Sequence, residues 1–268
     1  MAAVASSHHP ALSGIESNRM HRAAEMLLHA RREVSPIHDL PENLRPHTLD
    51  EAYALQDKVG IAFAPLGGWK VGAPAPDATP LFSVMPLWGG YPHSGQRVSR
   101  DLRRLRGVEA EIAFRLGKDL PPRRQPYTRD EVVAAIASAH PAIEMLESAF
   151  VDPDKADRLS VIGDLQMNGG MAVGPACANW QSVDLSQESV TVEVDGEKRF
   201  QGTASNSAGH DLLRLVLWLA NEGSGRTGGL SANDWVTTGS WSGKTFALPG
   251  STARVGFANF GSVTLSFE

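Results

Sequence analysis

The segment GVEAEIAFRL, residues 107–116, holds two glutamates one residue apart in an otherwise mostly apolar run. Its alternating pattern predicts a β-strand, in which successive side chains point to opposite faces of the sheet. The apolar residues then share one face, and Glu109 and Glu111 share the other with about 7 Å between their Cα atoms. Two carboxylates at this spacing repel each other in a half-buried strand. We therefore expect either that one of them is protonated or that a positive group lies between them.

Composition limits the class of protein. The 268 residues suffice for one large domain, or for a core domain with a small N-terminal part. The net charge is −5, and the basic residues are spread along the chain rather than clustered as in a nucleic-acid-binding stripe. The single cysteine, Cys177, excludes an intrachain disulfide, and without a signal-type apolar segment we expect a cytoplasmic location. No apolar run approaches membrane-spanning length, so we expect neither nucleic acid nor membrane as a partner.

The chain divides into three regions. Residues 1–16 are small and polar and are expected to form a disordered tail. Residues 17–66 are expected to be helical, with one helix over 17–34 and a second after Thr48. The remaining region, 67–268, is expected to form the core. It is mostly β in its second half, so the pattern as a whole predicts an α+β fold with a curled mixed β-sheet and a helical N-terminal arm.

Three capping and turn signals refine this division. Thr48 and Glu51 have the spacing of a capping box, as do Thr128 and Glu131. The second pair predicts a helix that runs to about Ala139 and is stopped by Pro141. The Asp-Gly pair at 195–196 stands between two alternating runs, which is typical of a β-hairpin.

A third acid, Glu144, lies among apolar residues in PAIEMLESAF. Three carboxylates without cysteine or histidine beside them are hard oxygen ligands, which suit Mg²⁺ or Mn²⁺ better than zinc. On the residues alone an alternative stays open, in which the strand glutamates simply face solvent on a half-exposed sheet.

Two further segments carry polar groups of possible chemical use. Lys70, in the short predicted strand GGWKVG, must reach either water or an acid, and burial would lower its pKa and suit it to proton transfer. A surface lysine on an edge strand explains the same pattern. The turn TTGSWSG, residues 237–243, offers hydroxyls and backbone N–H groups that can hold a carboxylate, although a solvated loop has the same composition. Outside these two segments, Gln166 is another polar candidate for the site, although a purely structural role at the end of a strand is equally consistent with its position.

From about residue 20 to its C-terminus the chain resembles the 2-keto-4-pentenoate hydratase and 4-oxalocrotonate decarboxylase branch of the fumarylacetoacetate hydrolase superfamily. The resemblance is carried by HTLDEAYALQ, GWKVG, PDATPLF, VEAEIAFRLGKDLP, PAIEMLES, NGGMAVG, GHDLLRLVLWLAN and ANDWVTTGS. It implies a fumarylacetoacetate-hydrolase-like fold in which 67–268 is a metal-binding catalytic core. It also implies a homo-oligomer, with association to a related pathway enzyme as a further expectation.

The resemblance assigns roles to individual residues. Glu109, Glu111 and Glu144 match the family's metal ligands, which implies a bound Mg²⁺ or Mn²⁺. Lys70 and Asp77 match its catalytic residues, and Gln166 is added as a substrate-binding candidate. The family's substrate-binding turn falls on Thr238, Gly239 and Ser240.

The sequence departs from the family at three places. The linker between Lys70 and Asp77 is only VGAPAP, which is shorter than in typical hydratases. Thr79 stands where the family has a glycine, and Leu165 replaces an asparagine after Asp164.

The activity implied first is a metal-dependent lyase that adds water to a 2-hydroxy-2,4-dienoate, giving a 4-hydroxy-2-oxo acid in the catabolism of aromatic compounds. The substrate partner is thus a small 2-oxo acid. Decarboxylation of a 2-oxo diacid is the main alternative. An acylpyruvate C–C hydrolase is disfavoured because no His-x-x-Glu pair accompanies His38 or His47. A non-catalytic partner subunit is the remaining alternative.

Overall fold

The computed structural model describes residues 14–87, 90–91, 93–99, 104–226 and 228–268. Its helices are α1 (Gly14–Arg32), α2 (Leu49–Ile61), α3 (Arg129–Ala135), α4 (Arg158–Gly163) and α5 (Leu212–Trp218), which continues as a π-helical turn over Leu219–Gly223. None of the described helices is long and apolar enough to cross a membrane.

The N-terminal helices pack against each other and against the core. α1 buries one face, which includes Met20, Ala23 and Leu27 at helical spacing. It begins at Gly14, three residues earlier than predicted and inside the expected tail, whose residues 1–13 lie outside the described part of the chain. The Arg19 guanidinium pairs with the Glu51 carboxylate and so links α1 to the first turn of α2.

The predicted start of α2 is observed, but only half of the capping box forms. The Thr48 hydroxyl accepts a hydrogen bond from the Glu51 backbone N–H at 3.2 Å. The Glu51 carboxylate does not return the bond to Thr48. It accepts from the backbone N–H of His47 at 2.6 Å and also holds Arg19. The tertiary contact with α1 thus competes with the local cap.

The described strands form two sheets. The larger sheet has the order β2 (Leu81–Pro86), β1 (Leu66–Gly72), β9 (Trp235–Thr237), β4 (Gly107–Leu116), β5 (Ile136–Leu146) and β6 (Asn168–Val173), with β10 (Thr245–Phe246) also paired to β4. The smaller sheet has the order β3 (Arg97–Val98), β12 (Gly261–Phe267), β11 (Thr252–Phe257), β7 (Ser189–Val194) and β8 (Glu197–Thr203). β1 and β9 run parallel and the other pairs of the larger sheet are antiparallel, so this sheet is mixed, as predicted.

The third predicted helix is too long. Thr128 and Glu131 form a complete capping box, but α3 ends at Ala135 and strand β5 follows at once, with Pro141 inside it. Alanine-rich sequence favours a helix locally. Pairing of β5 with β4 over its whole length, and burial of Ile143 within the strand, outweigh that preference. The predicted Asp-Gly hairpin is present between β7 and β8, where Asp195 and Gly196 both have positive φ.

The pairing of the larger sheet is interrupted along one edge of β4. β4 pairs with β9 only through Ala113–Arg115, and with β10 only through Gly107 and Val108. Between these points the chain of residues 238–244 follows the edge of β4 as a loop. It is attached there by hydrogen bonds from the Trp241 N–H to the Ala110 carbonyl at 2.8 Å and from the Ala110 N–H to the Ser242 hydroxyl at 3.0 Å. A loop, rather than a strand, therefore borders the segment that carries the two glutamates.

Candidate active site

Three acidic side chains meet on one face of the larger sheet. Glu109 on β4 lies directly opposite Glu144 on β5, and Glu111 follows Glu109 two residues along the strand, so all three point to the same side. One oxygen from each carboxylate lies within 4.8 Å of the others. Glu144 and Glu111 are 0% and 2% exposed, whereas Glu109 is half-buried. The structure thus brings together the three acids that the sequence singled out.

Burial and mutual repulsion raise the pKa of two of the three acids. Burial raises the pKa of Glu109 above its usual range, and the charge of Glu144 raises it further, against the opposing effect of Lys70. The pKa of Glu111 is raised well above its usual range, again first by burial and then by Glu144. Both causes disfavour the ionised form, as expected for like charges in a site of low polarity.

Lys70 on β1 is the positive group that the strand glutamates require. Its Nζ lies 2.7 Å from the Glu144 Oε1 and donates to the backbone carbonyl of Gln166 at 3.1 Å. Burial by itself lowers the pKa of Lys70, but the charges of Glu144, Glu109 and Glu111 outweigh it, so that the pKa is raised. The expected lowering of this pKa is therefore wrong for the metal-free protein.

The donor set fits a hard divalent cation. The Oε1 of Glu144 accepts from Lys70 and from the Asn168 amide at 2.9 Å, but the Oε2 of Glu144 and the Oε2 of Glu111 are buried without a hydrogen-bond partner among the described residues. An unpaired buried oxygen costs about 1–3 kcal/mol, and more when it is charged. Oxygen ligands from three carboxylates are the set that Mg²⁺ and Mn²⁺ favour. These residues therefore fit the predicted metal.

The turn that carries Gln166 and Asn168 has an unusual backbone. Leu165, Gln166 and Met167 have φ of 54°, 49° and 65°, three consecutive left-handed residues without a glycine. Such conformations cost of order 1–3 kcal/mol each and persist only where the surroundings enforce them. The outcome is that the Gln166 carbonyl reaches Lys70 and the Asn168 amide reaches Glu144. The side-chain Oε1 of Gln166 is buried and unpaired within the described chain.

A buried ion pair holds this turn. The Arg31 Nε of α1 lies 2.6 Å from the Asp164 Oδ1, and the two side chains are 3% and 0% exposed. The same guanidinium donates to the backbone carbonyls of Asp164, Glu147 and Asn168 at 2.9, 3.1 and 3.2 Å. The other Asp164 oxygen accepts from the Ser148 hydroxyl at 2.7 Å and from a backbone N–H. The N-terminal helix thus contributes directly to the position of the site.

The predicted turn over Thr238, Gly239 and Ser240 lies beside the acids, but its members differ in role. The Thr238 hydroxyl is buried and donates to the Ile112 carbonyl at 2.7 Å, so it attaches the turn to β4. Gly239 has φ of 81°, and a Cβ there would lie 3.3 Å from the Asn206 Oδ1. The Ser240 hydroxyl hydrogen-bonds Glu109 and lowers its pKa slightly against the larger effect of burial. Only Gly239 and Ser240 line the cavity described next.

A cavity of about 340 Å³ opens over Glu109 and Glu111. Its polar lining includes Lys70, Gln166 and Ser240, and its apolar wall includes Val71, Ala73, Leu81, Val161 and Ile162. Asp77 is not among its lining residues. It is exposed in a turn of the short linker after β1, so the structure does not bring this predicted catalytic residue to the acids.

Sequence reasoning missed two residues of this site. Arg158 lines the cavity from α4. Its helical spacing to Val161 and Ile162 is the only sequence signal, and it does not indicate what the helix faces. The Asn206 amide donates to the carbonyls of Thr238 and Gly239 at 3.0 and 2.7 Å and so supports the turn. This contact joins residues more than thirty positions apart, so no local sequence pattern predicts it.

Comparison with known proteins agrees with this geometry. The sequence model of the family described as fumarylacetoacetate (FAA) hydrolase C-terminal matches residues 91–267, well over half of the chain. Among curated proteins, a 2-keto-4-pentenoate hydratase from Paraburkholderia xenovorans is 26% identical over 262 residues, which cover 92% of this chain and 94% of that protein. A 2-oxo-hept-4-ene-1,7-dioate hydratase from Escherichia coli is 26% identical over 260 residues, covering 91% and 96%.

A solved structure extends the likeness to the whole fold. The 4-oxalocrotonate decarboxylase from Pseudomonas putida G7, complexed with magnesium and adipate, superposes with a TM-score of 0.81 at 23% identity and covers 97% of this chain and 100% of that one. The predicted fumarylacetoacetate-hydrolase-like α+β fold is therefore confirmed. The hydratase and decarboxylase names of the relatives agree with the predicted lyase-type enzyme. By its sequence and its fold, this chain belongs to the fumarylacetoacetate hydrolase family.

Proposed function

We propose that the protein is a metal-dependent hydratase that adds water to a 2-hydroxy-2,4-dienoate and forms a 4-hydroxy-2-oxo acid. One observation carries this proposal. Glu109, Glu111 and Glu144 converge beside a cavity, with two of their buried oxygens unpaired and Lys70 held against them. The likeness to hydratases over more than nine-tenths of the chain supports the reaction class.

In this proposal the three carboxylates hold a Mg²⁺ or Mn²⁺ ion. When bound, the cation supplies Lewis acidity, which favours movement of a proton next to a 2-oxo group. The apolar wall formed by Val71, Ala73 and Leu81 keeps bulk water away from the reacting carbons.

Lys70 moves the proton at its Nζ. Ketonisation of the dienol requires loss of the 2-hydroxyl proton and delivery of a proton to carbon 5, which leaves a double bond between carbons 3 and 4. The Lys70 ammonium gives a proton to carbon 5 and takes up the 2-hydroxyl proton in its place, and its contact with the Gln166 carbonyl holds the Nζ beside the cavity. Water then adds its oxygen to carbon 4 and a proton to carbon 3. Gln166 lines the cavity, and in this proposal it helps to bind the substrate.

Asp77 is left out of the proposed steps because its side chain is exposed outside the cavity. We also propose that the protein is a homo-oligomer and associates with a related pathway enzyme.

The test follows 2-hydroxypenta-2,4-dienoate by its ultraviolet absorbance and identifies the product by mass spectrometry. We expect loss of absorbance with Mg²⁺, a product heavier by one water, and no reaction in EDTA. Glu109→Gln should abolish the reaction. The matched control Glu197→Gln, at an exposed glutamate of the smaller sheet, should leave it unchanged. Release of CO₂ from a 2-oxo diacid without addition of water would replace the hydratase with a decarboxylase, and no turnover of either would point to a non-catalytic subunit.

A further inference from the structure

The lining of the cavity includes a positively charged side chain, Arg158, that has no role in the proposed reaction. Lys70 and the acids form one part of its lining, and apolar side chains form another. Arg158 is a third part, and it comes from a different element, the first residue of α4. If the substrate had a single carboxylate and that group were bound near the acids, the Arg158 guanidinium would have no substrate group to contact.

The geometry of α4 separates Arg158 from the acidic part of the cavity. Arg158, Val161 and Ile162 are spaced three and four residues apart, so they share one face of the helix, and all three line the cavity. The C-terminal end of α4 leads directly into the turn where Gln166 meets Lys70. Arg158 starts the helix, about 7.5 Å away along the axis from its last residue. The helix therefore presents an apolar surface between Lys70 at one end and a guanidinium at the other.

The Arg158 guanidinium is uncommitted. Its side chain makes neither an ion pair nor a hydrogen bond with another described residue, and it is exposed. The nearest acid in sequence, Asp157, already uses a carboxylate oxygen to accept from the N–H and the hydroxyl of Ser160 at 2.8 and 2.9 Å. Asp39, whose carboxylate accepts from the Asp157 N–H, is paired with Arg45 at 3.1 Å. The charge of Arg158 thus remains available to a ligand in the cavity.

We propose that Arg158 binds a second, distal carboxylate of the substrate, so that the preferred substrates are dicarboxylic 2-hydroxy-2,4-dienoates. This inference rests on the proposed hydratase function. The planar guanidinium forms paired hydrogen bonds to a carboxylate, and charge-assisted bonds of this kind are stronger than neutral ones. The apolar face of Val161 and Ile162 contacts the carbon chain between the two ends. Arg158 is a specificity residue and takes no part in proton transfer.

The test compares 2-hydroxyhepta-2,4-diene-1,7-dioate with 2-hydroxypenta-2,4-dienoate as substrates in the presence of Mg²⁺. For the wild-type enzyme we expect kcat/KM to favour the dicarboxylate. Arg158→Met should lower kcat/KM for the dicarboxylate by about 10- to 100-fold, chiefly through KM, and change the value for the monocarboxylate by less than about threefold. Arg158→Lys should recover part of the loss, because it restores the charge without the paired geometry.

Arg124→Met serves as the control, since Arg124 is an exposed arginine outside the cavity lining. It should behave as wild type with both substrates. An equal loss for both substrates in Arg158→Met, or no loss for the dicarboxylate, overturns the proposal.

A binding experiment separates failure of this inference from failure of the proposed function. If the wild-type protein turns over neither substrate, the hydratase proposal fails. Calorimetry with Mg²⁺ and either 2-oxoadipate or 2-oxohexanoate then still tests Arg158. We expect the wild-type protein to bind the dicarboxylate more tightly and Arg158→Met to bind the two alike. Equal affinity of the wild-type protein for both compounds would exclude a carboxylate-binding role for Arg158.

Discussion

Two buried clusters of charge are joined by the 164–168 turn, and they differ in how well their polar atoms are satisfied. In the first, every nitrogen of the Arg31 guanidinium and both oxygens of Asp164 have a hydrogen-bond partner. In the second, an oxygen of Glu111 and one of Glu144 have none within the described chain, although the Lys70 ammonium pairs with Glu144. A satisfied cluster stabilises one conformation, whereas unsatisfied buried charge favours binding of another charged group. We therefore propose that the first cluster is structural and that the second is the cation site.

The largest effect is expected from removal of an acid in the second cluster. Glu109→Ala or Glu111→Ala should abolish metal-dependent turnover, since each removes a carboxylate ligand. Folding should change little, because loss of one of several mutually repelling acids relieves an unfavourable interaction. Turnover and thermal melting in EDTA measure the two effects. If either variant melts at a much lower temperature than the wild-type protein in EDTA, the acids have a structural role and the two clusters do not differ in the way proposed.

Replacement of Lys70 should have the next largest effect. Lys70→Met keeps much of the length and apolar bulk of the side chain but removes the proton, so turnover should fall by roughly 10²–10⁴-fold. Calorimetry should find the metal affinity nearly unchanged. Lys70→Arg should not restore activity, because a guanidinium does not release its proton at these pH values. Full activity in Lys70→Met would remove this residue from the mechanism.

Mutation of the first cluster should lower the stability of the fold. Arg31→Met leaves the Asp164 carboxylate buried without its counter-charge, which should lower the free energy of unfolding by about 3–5 kcal/mol. Urea titration in EDTA measures this change. Arg129→Met, which breaks the more exposed ion pair with Asp211, should cost less than about 1 kcal/mol. Similar losses in the two variants would show that the buried pair has no special structural role.

The pH dependence of the metal-free protein should show the smallest effect. The pKa of Glu111 is raised by folding above its ordinary value of 4.5, first by burial and then by Glu144. As the pH rises above that value, the unfolded chain releases the proton while the folded chain retains it, so the free energy of unfolding falls until the folded pKa is passed. Urea titrations in EDTA from about pH 5 to pH 8 should show this fall.

Glu111→Gln should reduce that slope, and excess Mg²⁺ should reverse it, because metal binding favours the ionised carboxylates. If the free energy of unfolding of the metal-free protein stays constant or rises between about pH 5 and pH 8, the buried acids of the second cluster are not the unsatisfied groups described above.

Much of the site follows from short-range pattern. Alternation in residues 107–116 places Glu109 and Glu111 on one face, and their repulsion predicts a positive group nearby. The residues alone also make Glu144 and Lys70 candidates, the family resemblance assigns their roles, and all four side chains meet in the structure. The prediction for 128–139 was only half correct, since an alanine-rich stretch suits a helix as well as a buried strand, and pairing with β4 decides between them.

The sequence by itself therefore determined the strand, its acidic face and the class of metal that this face suits, because these depend on side-chain alternation and on ligand chemistry. Tertiary structure decided the register that sets Glu109 opposite Glu144, the raised pKa of Lys70, and the positions of Asp77 outside the cavity and Arg158 inside it. These features depend on contacts between residues far apart in the chain. Such contacts follow from the order of the strands and the packing of α1 and α4, which no local pattern contains.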